Sequence, residues 1–97
     1  MDRLRAMELF FSVSQTKSFS ETARQFGISA TAVSRAVTEF EATLNVKLLL
    51  RSTRQVVLTE SGQEYAEKLE SLLLNIKELH HNITEIRAAP KGSLRVH

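Results

Sequence analysis

Residues 19–38 read FSETARQFGISATAVSRAVT, and this stretch decides the fold. It parses as two short helices meeting at a tight corner. Ser18 is placed to cap the first helix, with Glu21 three positions on as its capping-box partner. Ala23 is small enough for a second helix to cross closely. Gly27 falls where the first helix has to stop and the chain has to turn through positive φ, which glycine does without steric cost. Ser29 then caps a second helix predicted from Ala30 to about Leu44. The spacing Ala23, Gly27, Val33 is that of a helix-turn-helix, a motif whose second helix enters the major groove of DNA.

At about 100° per residue, Val33, Ala36, Val37, Phe40 and Leu44 fall on one apolar side of that second helix. Thr31, Ser34, Arg35 and Thr38 fall opposite, with Ala30 near the tip. Small polar residues let a backbone approach base edges, and arginine bonds guanine O6 and N7 through two parallel hydrogen bonds. Read alone, the pattern suits an ordinary amphipathic helix with a mixed solvated face equally well. The flanking segments decide between the two.

Upstream, Asp2 is placed to cap a helix running to about Gln15, with Leu4, Met7, Phe10, Phe11 and Ser14 at helical spacing. With Phe19, Phe26, Ile28, Val33, Val37 and Phe40 it completes a small three-helix core. Downstream, Asn45 stands where the second helix of the motif has to end, in a residue type that tolerates the left-handed region. Two short strands follow, about Leu49–Arg51 and Gln55–Leu58, joined by Ser52, Thr53 and Arg54. A basic hairpin directly after such a helix is a wing. Arg51, Ser52, Thr53, Arg54 and Gln55 are its candidate DNA contacts, Arg54 at the tip being suited to a narrow minor groove of high negative potential. Taken singly, Arg51 and Arg54 are ordinary solvated charges on an edge strand; beside a helix-turn-helix they form a set.

Thr59 is placed to cap a long final helix. Its apolar positions step by four and three through Tyr65, Leu69, Leu72, Ile76, Leu79, Ile83 and Ile86, with Leu73 widening the seam. That is the seam of a coiled coil, which a short winged domain cannot cover, so it predicts a second copy of the helix as partner. Pro90 and Gly92 read as a hinge, and residues 93–97, SLRVH, as the first residues of a further domain. The fold class is therefore mainly α: a winged helix-turn-helix of three helices plus a two-stranded wing over residues 1–58, then a dimerisation helix over 59–89, then a hinge and domain start over 90–97.

Bulk properties agree. Through Thr59 the chain carries eight Lys/Arg against five Asp/Glu, and from Glu60 onward five against six. A basic first half points to one anionic partner approached from one side. No apolar run is long enough to span a bilayer, the first residues are no signal peptide, and cysteine is absent, so neither disulfides nor thiolate metal sites are available. Chemistry for an enzyme is thin. His80 and His81 are neighbours on a helix and point about 100° apart. His81 with Glu85 supplies two metal ligands where three or four are usual. No metal, no cofactor and no catalysis are expected. A winged helix used for protein contacts is the other competitor, and the basic wing with the Ser34–Arg35 face argues against it.

The run RSTRQVVLTESG at residues 51–62, the preceding residues 29–51, SATAVSRAVTEFEATLNVKLLLR, and the opening helix together resemble the N-terminal half of LysR-type transcriptional regulators. The resemblance implies a winged DNA-binding domain, a linker helix pairing antiparallel with that of a second subunit, and a C-terminal effector-binding domain that alone takes a small-molecule inducer. It places Ser34 and Arg35 at the recognition-helix contacts and Arg54 at the minor-groove arginine of the wing. Ala30 and Thr31 stand in place of the Gln-Pro common at the helix tip. Lys17 and Asn45 stand where many members have glycine, and Lys17 is strained there if that turn takes positive φ. The implied partner is double-stranded DNA with two half-sites in an A·T-rich interrupted palindrome. It is bound by a homodimer, or a higher oligomer of a longer protein, in the cytoplasm at the nucleoid and not at a membrane.

Overall fold

The computed structural model describes residues 2–52 and 55–88, with side chains of the last helix through Ile83. Six elements follow in order: α1 (Arg3–Thr16), α2 (Phe19–Phe26), α3 (Ala30–Leu44), β1 (Leu49–Arg51), β2 (Val56–Leu58) and α4 (Glu60–Ala88). The strands pair antiparallel with Leu49 opposite Leu58, Leu50 opposite Val57 and Arg51 opposite Val56. Thr53, Arg54, the Ile86 side chain and the hinge at 90–97 lie outside the described residues.

Local chemistry sets every helix start. Asp2 accepts from the Arg5 amide, Ser18 Oγ from Glu21, Ser29 Oγ from Ala32 and Thr59 Oγ1 from Gly62, each satisfying an amide with no partner in the first turn. The capping box expected at Ser18 is only half formed. The Glu21 carboxylate pairs with Arg24, and the Ser18 amide donates to Thr16 Oγ1 instead. The first three helices end in left-handed residues: Gly27 at φ 70°, and the non-glycine residues Lys17 at 58° and Asn45 at 56°. Asparagine adopts this region readily; lysine pays for its Cβ there.

The core is closed by α1, α2 and α3, and by the start of α4. In α1 the buried face is Ala6, Leu9, Phe10, Val13 and Ser14, which keeps Phe10 and Ser14 of the predicted set Leu4, Met7, Phe10, Phe11 and Ser14 and shifts the rest. Met7 and Phe11 pack at the margin and Leu4 is exposed, because α1 is apolar over two adjoining stripes and only one meets α3. In α3, Val33, Ala36, Val37 and Phe40 are buried as their spacing predicts. Leu44, in line with them but in the last position of the helix, is 38% exposed.

A carboxylate occupies the stripe that Leu44 leaves. Glu41 is buried, and its Oε2 accepts both the Leu48 amide at 2.8 Å and the Leu49 amide at 2.9 Å. The Glu41 carbonyl also takes the Val46 amide at 3.2 Å. These bonds fold the chain from the end of α3 straight into β1. Just beyond, the Leu48 carbonyl takes the Thr59 amide at 3.0 Å and the Lys47 carbonyl takes the Thr59 hydroxyl at 2.7 Å. A Cβ on Gly62 would stand 2.0 Å from the Leu48 carbonyl oxygen, so α4 can approach the root of the wing only with glycine there.

The predicted seam of α4 is divided in two. Leu69 is 2% exposed and Ala66 is buried inside this chain's own core. The Tyr65 ring stands 5.9 Å from Phe10 and 5.8 Å from Phe40. Burial holds the Tyr65 phenol above its ordinary range, against the lowering pull of Arg3. Leu69, expected to face a second subunit, is thus covered by this chain itself, while Tyr65, half-buried, packs against the same core. The first three turns of α4 serve the winged domain, whose three short helices leave a gap that Phe10 and Phe40 alone do not close. Leu73 and Ile76 line an open groove opposite Leu4, Phe11 and Phe26. Leu72, Leu79 and Ile83 face outward, Leu79 at 56% exposure.

Two stability changes follow. Lys17→Gly relieves a left-handed lysine and should raise thermal-unfolding stability by roughly 0.5–1 kcal/mol, after the entropy glycine adds to the unfolded chain. Glu41→Ala leaves two buried amides without an acceptor and should cost about 2–4 kcal/mol in denaturant unfolding, with Glu41→Gln costing clearly less because its amide oxygen still accepts.

Candidate nucleic-acid interface

The exposed side of α3 carries the predicted readout residues. Ala30 and Thr31 are exposed in its first turn, Arg35 and Thr38 are exposed further along, and Ser34 is half-buried between them. Arg35 makes no side-chain hydrogen bond or ion pair among the described residues, although Glu39 stands four positions on. A solvated guanidinium on a face of small side chains is free to meet a planar pair of acceptors.

Arg51, predicted as a wing contact, is turned onto α3. Its Nη1 donates to Ser34 Oγ at 2.7 Å and its Nη2 to Thr38 Oγ1 at 3.0 Å, while its guanidinium lies 4.7 Å from the Phe19 ring centroid. Three residues predicted separately as DNA contacts therefore form one cluster, seated on α2. Ser52 and Gln55 bond each other at the strand ends: the Ser52 amide donates to the Gln55 carbonyl at 2.9 Å and the Gln55 amide to Ser52 Oγ at 3.0 Å. On the wing's outer side the cross-strand pair Leu50 and Val57 is exposed. Lys47, at the root of the wing, is exposed and enters no ion pair among the described residues. No group of three or more potential metal ligands clusters among the described residues, and no helix there is long and apolar enough to cross a membrane.

Residue-type patterning missed Glu41, Phe19 as a platform for Arg51, and Gly62. Glu41 did leave a signal. It sits four residues after Val37, within the apolar stripe, where a carboxylate is costly unless several donors face it. Nothing in the sequence pairs Arg51 with residues 17 and 13 positions upstream; that contact exists only once α3 and β1 are adjacent.

A three-helix core with a helix-turn-helix, a β-hairpin after its second helix and a polar cationic face on that helix define a winged helix-turn-helix. The family described as "Bacterial regulatory helix-turn-helix protein, lysR family" matches residues 4–63, and the chain belongs to it. Over 96 residues it is 36% identical to the HTH-type transcriptional activator AaeR of Escherichia coli K12, covering 99% of this chain and 31% of the relative. An HTH-type transcriptional repressor of Pseudomonas aeruginosa UCBPP-PA14 is 40% identical over 96 residues, with 99% and 30% covered. The chain thus spans about a third of the length of these curated relatives. Among solved structures, the BenM DNA-binding domain in complex with catB site 1 DNA superposes with a TM-score of 0.84 at 26% identity, covering 93% of this chain and 99% of that one. The full-length Vibrio cholerae virulence activator AphB gives 0.77 at 28%, covering 88% and 29%.

Proposed function

We propose that this chain is the sequence-specific, double-stranded-DNA-binding part of a dimeric transcriptional regulator. The observation that carries the reading is the exposed face of α3. Thr31, Ser34, Arg35 and Thr38 are displayed together there, with Arg35 unpaired among the described residues. The DNA complex of the BenM domain supports it, since that domain superposes on 93% of this chain. In this reading the N-terminal half of α3 lies in the major groove. Arg35 reads a guanine, Ala30 and Thr31 give close approach at the tip, and Ser34 and Thr38 meet acceptors along the groove. The wing, with Ser52, Thr53, Arg54 and Gln55, lies across the backbone, and Arg54 enters the adjacent minor groove.

The outward apolar residues Leu72, Leu79 and Ile83, with Ile76 and Leu73 beside them and Ile86 beyond, pair with a second copy of α4. Solvent-facing leucine and isoleucine at coiled-coil spacing gain on the order of 1.5–3 kcal/mol each when covered. Two recognition helices on one dimer require two half-sites on one face of the duplex, about 10 base pairs or a multiple apart. An inducer, where one acts, binds outside these residues.

A random-library binding selection yields the preferred site and tests the reading directly, since a chain that enriches no sequence is not a sequence-specific binder. On the selected site Arg35→Ala should cost roughly 1–3 kcal/mol and relax preference at one base pair, with a smaller loss on random duplex. Equal losses on both would make Arg35 a phosphate contact. Leu79→Glu exchanges one solvent-facing residue of the single chain and should leave its unfolding transition intact. In light scattering it should halve the mass, and it should abolish the advantage of a two-half-site duplex over a single half-site. A variant that stays dimeric removes the α4 pairing.

A further inference from the structure

The cluster at the root of the wing has a chemistry that the readout alone does not require. Arginine has five N–H donors and no acceptor, so both hydroxyl oxygens that meet Arg51 act as acceptors toward it. Each hydroxyl still has its own proton to place. On a helix the usual sink is a backbone carbonyl one turn back, and two hydroxyls of this chain use it: Ser14 donates to the Phe11 carbonyl at 2.6 Å and Thr43 to the Phe40 carbonyl at 2.8 Å. Ser34 and Thr38 make no such bond among the described residues. Their oxygens are held from one side by Arg51, and their protons are left to point away from it.

Arg51 is itself held. The Phe19 ring lies beneath its guanidinium at 4.7 Å, and its fork spans two hydroxyls four residues apart on one face of α3. An ammonium has three donors but no planar fork, so it does not hold both oxygens in one fixed geometry while stacked over a ring. The same three contacts link β1 to α2 and α3, so the wing's first strand is fixed to the helix-turn-helix at this point.

We propose that Arg51 is a positioning residue of the DNA interface. Its fork takes one lone pair of each hydroxyl and leaves the O–H of Ser34 and Thr38 aimed away from it, so that this part of α3 favours acceptors: phosphate oxygens, purine N7, guanine O6 or thymine O4. It favours them over the amino groups of adenine N6 and cytosine N4, which meet only the one remaining lone pair of each oxygen. The inference rests on the DNA-binding reading above and assigns Arg51 a role different from a wing phosphate contact. A phosphate contact acts through charge and is served by lysine. A positioning fork acts through geometry and is not.

The test is a double-mutant cycle read by fluorescence anisotropy on the selected duplex and on a random duplex across a salt series. Arg51→Lys keeps the charge, so the salt slope on random DNA should be unchanged and affinity there should stay within about twofold. On the selected duplex the same variant should lose about tenfold, the scale of one base-edge pairing. In a Ser34→Ala/Thr38→Val background, where there is nothing left to orient, Arg51→Lys should cost less than about twofold on the selected duplex. Thermal unfolding followed by circular dichroism checks that all variants share the wild-type fold. Arg51→Lys binding the selected duplex like wild type, or losing the same factor in both backgrounds, overturns the positioning role while leaving the DNA-binding reading in place. A wild-type chain with no preference for any duplex overturns both.

Discussion

The buried carboxylate of Glu41 is the constraint on which the functional face depends. Helix α3 ends in a left-handed asparagine, and the chain must reverse at once to start a strand. The amides of Leu48 and Leu49 enter that reversal with their side chains fully buried, and both are taken by the Glu41 carboxylate. One carboxylate oxygen with a lone pair for each amide satisfies both, at a depth where a buried unpaired N–H is costly. Everything after it inherits its position: Arg51 lies two residues beyond Leu49, near enough to reach back across α3.

The helices were legible because their signals are local. Caps at Ser18, Ser29 and Thr59, the turn glycine at Gly27 and the apolar spacing of α3 are each written within a few residues of where they act. The recognition face was legible for the same reason, since a helix sorts its own residues into faces. What the sequence hid is long-range. The split in α4 depends on how far a helix departing from the wing runs along α1 before it leaves the domain, and a heptad pattern reads the same whether the partner is a core or another chain. The Arg51 cluster depends on a hairpin folding back onto a helix, and Gly62 on a backbone-to-backbone approach. The displaced stripe in α1 had a further cause: two apolar faces lie side by side, and only the tertiary neighbour chooses between them.

Helix α4 thus belongs to two structures at once. Its first three turns are core, closed by Tyr65 between Phe10 and Phe40 and by Leu69, and they form an inseparable part of the winged domain. Its later turns carry an apolar edge that the same chain does not cover. No helix break separates the two parts, so whatever engages the far turns is rigidly connected to a domain core and not hung from a linker.

That connection has a geometric side, and Gly62 is its point of reference. The Leu48 carbonyl is bonded by Thr59 and pressed by the backbone at Gly62, while Leu48 is itself suspended from Glu41. From Gly62 the helix runs 26 residues further to Ala88, roughly 39 Å at 1.5 Å per residue. Tyr65, Ala66 and Leu69 lock its first turns into the core, so it cannot tilt about Gly62 without unpacking them. A single backbone approach at the wing root therefore sets the bearing of the far end, where about 5° of misalignment would amount to roughly 3 Å.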